Sequence, residues 1–225
     1  MSLSTRAAFV LLSVGASAAD PPPEAPTAER AIAHMGSPIG GARMGSWHLT
    51  FENSTLADVL QRAAEPIKHR ADAGESLYWV CYTIQSPAAD QSPAAERVWI
   101  LSDGEMGGPE HRVTGIIAKR LTAARSVPGC PALPPALLPI ALDNGVWLGS
   151  TLEEAAAAVG GAAALAGRAG ADGPSQANPS WHTFRYAGKL PSASCSGGFD
   201  VTNEVSLQSE DGRVSALQAG QVTSC

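Results

Sequence analysis

Apolar positions along the chain fall into two patterns, a helical one and an alternating one, and the pair occurs twice in the same order. Leu56, Val59, Leu60 and Ala63 stand at i, i+3, i+4 and i+7, and so do Leu152, Ala155, Ala156 and Val159, so each set shares one helix face. Both helices are announced by a hydroxyl with an acid three residues on: Thr55 with Asp58, and Thr151 with Glu154. That spacing satisfies orphan N–H groups at a helix start. Gly160-Gly161 ends the second helix, where a left-handed turn is needed.

The alternating segments follow. Leu77-Tyr78-Trp79-Val80-Cys81-Tyr82-Thr83-Ile84 and Trp181-His182-Thr183-Phe184-Arg185-Tyr186 are rich in the branched and aromatic side chains that pack on a pleated surface. Arg97 to Leu101 and Glu204 to Leu207 come next. Asp103-Gly104 and Asp211-Gly212 then mark turns, before Arg112 to Ile116 and Arg213 to Leu217. The repeat opens at Phe51-Glu52-Asn53-Ser54-Thr55-Leu56 and at Trp147-Leu148-Gly149-Ser150-Thr151-Leu152, with an aromatic in first place and a shared Ser-Thr-Leu. The predicted fold class is α+β: two tandem units, each one helix packed on an antiparallel sheet of about three to four strands. Residues 46–130 form the first unit and 140–225 the second. A Pro-rich linker, 131–139, separates them, and a Pro/Gly-rich lead-in covers 20–45.

The beginning of the chain reads as a secretory signal peptide over residues 1–19. Arg6 precedes the apolar run Ala7 to Val14, and Ala16-Ser17-Ala18-Ala19 supplies small residues for cleavage. That run is shorter than the roughly 20 apolar residues a membrane span needs. The expected mature chain is periplasmic or secreted, with no transmembrane segment and no cysteine at the cleavage site to accept a lipid. Losing Arg6 moves the formal charge from −6 to −7, with 14 basic residues left against 21 acidic ones. An acidic chain without a Lys/Arg block does not favour nucleic acid as a partner. The excess of Ala, Gly and Pro, with Arg well above Lys, is the usage of a GC-rich bacterial genome.

Four cysteines, Cys81, Cys130, Cys195 and Cys225, imply two disulfides in an exported chain, with three possible connectivities. Each half holds one cysteine near its strands and one at its end. The economical pairing is therefore Cys81 with Cys130 and Cys195 with Cys225. Loops of roughly 50 and 30 residues would each contribute about 3 to 4 kcal/mol in the chain-entropy model.

The second half resembles the small module of the BamE (SmpA/OmlA) outer-membrane lipoproteins and the tandem β-lactamase inhibitor protein. The likeness rests on Leu148-Gly149-Ser150-Thr151-Leu152-Glu153-Glu154, Val159-Gly160, the aromatic segment through Tyr186, and Asp211-Gly212-Arg213-Val214. It implies a protein-binding module. Two departures are the missing lipidated cysteine and Gly161, where a proline often follows the helix-ending glycine.

Motifs for chemistry are sparse. His34, His48, His69, His111 and His182 lack the i, i+4 spacing of a helical zinc pair. Gly36-Ser37-Pro38-Ile39-Gly40 is not a nucleophile elbow. The glycine-rich tract from Gly160 to Gly173 follows a helix, whereas a phosphate cradle precedes one. Ser102-Asp103-Gly104-Glu105-Met106-Gly107-Gly108 reads as a hairpin connection more than a cation loop. No cofactor or metal is called for. Trp79, Tyr82, Trp99 and Trp181 are the candidate partner-binding residues, since Trp and Tyr dominate interface hot spots. The bland alternative places them in the core. The resulting expectation is an exported, non-enzymatic protein-binding or envelope-associated factor. The alternatives are a secreted hydrolase using His111, His182 and Glu105 from both halves, and a small-ligand carrier.

Overall fold

Strands dominate the architecture, which is a computed structural model describing residues 21–23, 32–72, 75–85, 95–108, 110–121, 130–160, 180–191 and 195–225. The signal-peptide segment and the tract from Gly161 to Gly173 lie outside those residues. In chain order come β1 (Ile32–His34), β2 (Gly41–Met44), β3 (Trp47–Thr50), α1 (Leu56–Leu60), β4 (Lys68–Asp72), β5 (Glu75–Gln85), β6 (Ala95–Asp103) and β7 (Gly115–Leu121). A short 3-10 turn, Pro135–Leu137, leads into β8 (Ile140–Leu142), α2 (Leu152–Ala158), β9 (Ser180–Leu190), β10 (Phe199–Glu210) and β11 (Arg213–Ser224).

Eight strands form one mixed sheet in the order β1-β9-β10-β11-β7-β6-β5-β4. It consists of two antiparallel meanders, β4 to β7 and β9 to β11, joined where β11 pairs with β7. Among the described strands, β1 alone runs parallel to its neighbour, β9. A smaller sheet, β3-β2-β8, supplies a second layer. Alternation along each strand decides the rest. Val80, Tyr82, Val98, Ile100, Ile116, Phe184, Val205, Leu207 and Leu217 join one core with Ala42, Met44, Leu49, Ile140 and Leu142 of the small sheet. Asn203 is buried within that layer and fully engaged. Its amide donates to Ile39 O (2.9 Å) and Gly220 O (3.0 Å) and accepts from Ile39 N (2.9 Å).

The expected α+β fold with two helix-on-sheet units is not what forms. The described residues hold eleven strands and only two α-helices, of 5 and 7 residues. The helical pattern was read through Ala63 and Val159, but both helices stop short. Pro66 lies soon after α1, and Gly160 turns the chain with φ +75° after α2. Segments this short bury Leu56 and Val59, or Ala155 and Ala156, and cannot cover eight strands. The stretch read as a lead-in provides β1 and β2 instead. Part of the Pro-rich linker docks along β5: Thr83 N donates to Pro131 O, and Leu133 N donates to Thr83 O.

Each helix start sits in the same kind of corner. Both capping boxes are complete, Thr55 with Asp58 and Thr151 with Glu154. Leu56 N donates to His111 O and Leu152 N to Gly212 O, each at 3.0 Å. In return Val113 N reaches Ser54 O (2.8 Å) and Val214 N reaches Ser150 O (2.9 Å). The Ser-Thr-Leu triplets thus anchor each helix to the strand segment that follows an exposed turn.

Candidate functional site

The face of the large sheet that points away from the small sheet is the candidate surface. Its register rows run across all the long strands, for example Thr183, Ser206, Gln218, Ile117, Trp99 and Cys81 from β9 to β5. Over β5 to β7 this face is sealed. Trp79, Cys81, Trp99, Leu101, Ile117 and Cys130 form a second apolar cluster in which Trp79 is 5 % and Trp99 2 % exposed. The guanidinium of buried Arg97 lies 5.6 Å from the Trp99 ring.

Over β9 to β11 the same face is polar and more exposed, although Thr183, Ser206 and Ala216 at its centre are buried. Arg185 donates from Nε (3.1 Å) and Nη2 (2.7 Å) to Glu204 Oε2, and Lys189 Nζ lies 3.0 Å from Asp200 Oδ1. Gln208 and Gln218 are half-buried beside them, and Val222 is 42 % exposed. Among the four aromatic candidates, Trp181 alone stands on this part of the face, half-buried. Trp79 and Trp99 stand on β5 and β6, two register rows apart on the same face, within the sealed part. Tyr82 points to the opposite face, inside the main core. Its hydroxyl donates to Ala63 O, and burial pushes that phenol well above its ordinary range.

The disulfides join Cys81 to Cys130 and Cys195 to Cys225, across 49 and 30 residues. Two disulfides fit folding in an oxidising compartment. Among the described residues, no helix is long and apolar enough to cross a membrane.

Histidines and acids are dispersed. Among the described residues, no three His, Cys, Asp or Glu side chains converge as metal ligands. His111 packs against Tyr78 with the rings tilted by 47° (centroids 4.1 Å apart), and the Tyr78 ring stacks on His69 (4.3 Å). His182 lies on β9, and Tyr78 on β5. Those strands are five positions apart in the sheet order, or about 24 Å at the usual strand spacing. The fold therefore does not gather His111 and His182 into one site. Asp103 Oδ1 accepts from the N–H groups of Glu105 (2.8 Å) and Met106 (3.0 Å), so the acidic tract is a self-bonded turn. Gly107 is required there, because a Cβ would lie 2.2 Å from Ser102 Oγ.

Three polar arrangements had no sequence signal beyond residue type. Glu52 reaches from the first half to β11, accepting from Thr223 N (2.6 Å) and Gln221 Nε2 (3.3 Å). His48 Nε2 meets Asp143 Oδ1 at 2.6 Å on the outer side of the small sheet, with a 54 % exposed imidazole. Glu96 on β6 accepts from Trp147 Nε1 (3.1 Å). Burial raises the Glu96 carboxyl, partly opposed by the Trp147 hydrogen bond and the charge of Arg120. Asp58 and Glu154 move the other way, lowered by their capping hydrogen bonds from Thr55 and Thr151. Pairs this distant in sequence, such as Glu52 with Thr223, become visible only once β11 is in place.

Compared with protein-family models, with curated proteins and with solved structures, the chain matches none.

Proposed function

We propose that this chain is an exported, non-enzymatic protein-binding factor of the periplasm or medium, and that it binds through the polar face over β9 to β11. The observation that carries the reading is that face: around a buried centre of Thr183 and Ser206, three long strands present paired charges, amides and a half-buried Trp181. Small-molecule sites are concave and mostly apolar, whereas protein interfaces are broad and about as polar as ordinary surface. Strand β9 is 11 residues long. Three strands of about 35 Å give a patch of roughly 500 Å², against the about 800 Å² per partner of a standard interface. A partner would therefore also cover neighbouring residues such as Lys119 on β7. The likeness of residues 140–225 to BamE-type modules points the same way, since members of that group bind proteins.

A photo-crosslinking residue in place of Gln218 tests the reading against the same residue in place of Arg43, on the outer side of the small sheet. Position 218 should capture one discrete protein from the native envelope or secreted fraction, position 43 should not, and Trp181→Ala should weaken the capture several-fold. Equal labelling from both positions, or no adduct together with turnover on a hydrolase substrate panel, would overturn it.

A further inference from the structure

The two disulfides differ in access at one sulfur, that of Cys225. Cys81 and Cys130 are 0 % and 4 % exposed and lie in the cluster that includes Trp79 and Trp99. Cys225 is exposed; its partner Cys195 is only 6 % exposed, but it opens a turn whose next two residues, Ser196 and Gly197, are exposed. Thiol–disulfide exchange needs a thiolate to reach a sulfur, so access separates labile bonds from inert ones. The strands beside the second bond are held by other contacts as well. Asp200 is paired with Ser224 at the end of the β10–β11 ladder, and Glu52 holds Thr223 N from outside the sheet. If the bond opened, the ladder would keep Cys225 at the same strand end.

We propose that Cys195–Cys225 is a redox-exchangeable bond, reduced by external dithiols while the fold persists, and that Cys81–Cys130 is a permanent one. A thiolate of the dithiol attacks Sγ of Cys225, forming a mixed disulfide and releasing Cys195 as a thiolate. The second thiol of the reductant then attacks its own sulfur in the mixed disulfide and releases Cys225. The protein gains two electrons, the dithiol closes to a disulfide, and the released thiolates take up protons according to pH. An oxidant such as oxidised glutathione reverses the sequence.

Native protein is treated with dithiothreitol for increasing times, quenched with iodoacetamide and mapped by peptide mass, with Trp emission followed in parallel. Cys195 and Cys225 should be alkylated at least about tenfold faster than Cys81 and Cys130. Emission should hold steady in that first phase, because the Trp79 and Trp99 cluster surrounds the other disulfide. Oxidised glutathione should then restore the bond. Simultaneous alkylation of all four cysteines with a change in emission, or earlier alkylation of Cys81 and Cys130, would overturn the proposal. The double variant C195S/C225S gives an independent check. It should keep the native emission and a cooperative melt, and failure to fold would show the bond to be structural.

Discussion

The two meanders turn one face toward a shared core, yet their other faces are finished in different ways. Over β5 to β7, two Trp rings, a disulfide and three aliphatic side chains pack so closely that the sheet is buried on both sides. Over β9 to β11, the equivalent positions carry buried Thr183 and Ser206 and half-buried Gln218, with one ion pair at mid-strand and one at the strand end. Strands buried on two faces contribute stability, whereas strands solvated on one face leave a surface for recognition. The division suggests that the first meander supports the fold and the second faces outward.

The sharpest way to break that contrast is to truncate matched tryptophans. Trp99→Ala should lower the unfolding free energy by about 3 to 5 kcal/mol, the usual cost of emptying a large aromatic site. Trp181→Ala, at a half-buried position, should cost much less in the same urea titration. Equal losses would mean that the outer face is as integral to the fold as the sealed one. A second comparison removes each disulfide as a Cys→Ala pair. Loop lengths of 49 and 30 residues differ by only about 0.4 kcal/mol in the chain-entropy model. Loss of Cys81–Cys130 should exceed loss of Cys195–Cys225 by clearly more than that, the excess reporting packing around the two tryptophans.

Smaller effects probe charge. Because burial raises Glu96, its contribution to stability is fully present below the unfolded value near 4.5 and is lost as pH rises through the folded value. The stability of Glu96→Gln relative to the parent should therefore improve as pH is raised from 4 toward neutrality; a difference that stays flat across that range would contradict the shift. Asp58 and Glu154 have the opposite sign. Their capping contributions are present above the unfolded carboxylate values and fade as pH falls through the lowered folded ones. Least of all, Arg185→Ala should change stability by no more than about 1 kcal/mol, as exposed ion pairs do, while reducing capture at position 218.

Local chemistry was legible in the amino-acid order, and long-range pairing was not. Thr55 with Asp58, Thr151 with Glu154 and the Asp-Gly turns are short-range arrangements whose partners lie within a few residues, and each forms. The alternation of Tyr78, Val80 and Tyr82 against Trp79, Cys81 and Thr83 also separates the two faces of β5. What the pattern lacks is any statement of which edge meets which. The β7–β11 seam, with Gly115 beside Gly220, merges what reads as two sheets, and nothing periodic marks it. Ile32–His34 and Gly41–Met44 are too short to show alternation, so they pass for a flexible lead-in until β9 and β8 are there to receive them. The aromatic residues were visible as candidates, but the depth at which each sits depends on neighbours from other strands. That is why Trp99 is buried while Trp181 stands partly open.

The pairing of β1 with β9 and of β2 with β8 also sets a timetable. Synthesis delivers β1 and β2 early, but β8 arrives about 100 residues after its β2 partner and β9 about 150 residues after β1. Contacts of such long sequence separation form slowly, after local meanders have closed. Until β8 to β11 have emerged, the nascent chain therefore carries open strand edges that chaperones or proteases can recognise. A prematurely ended product would keep them, because the partners of β1 and β2 lie in the second half of the chain.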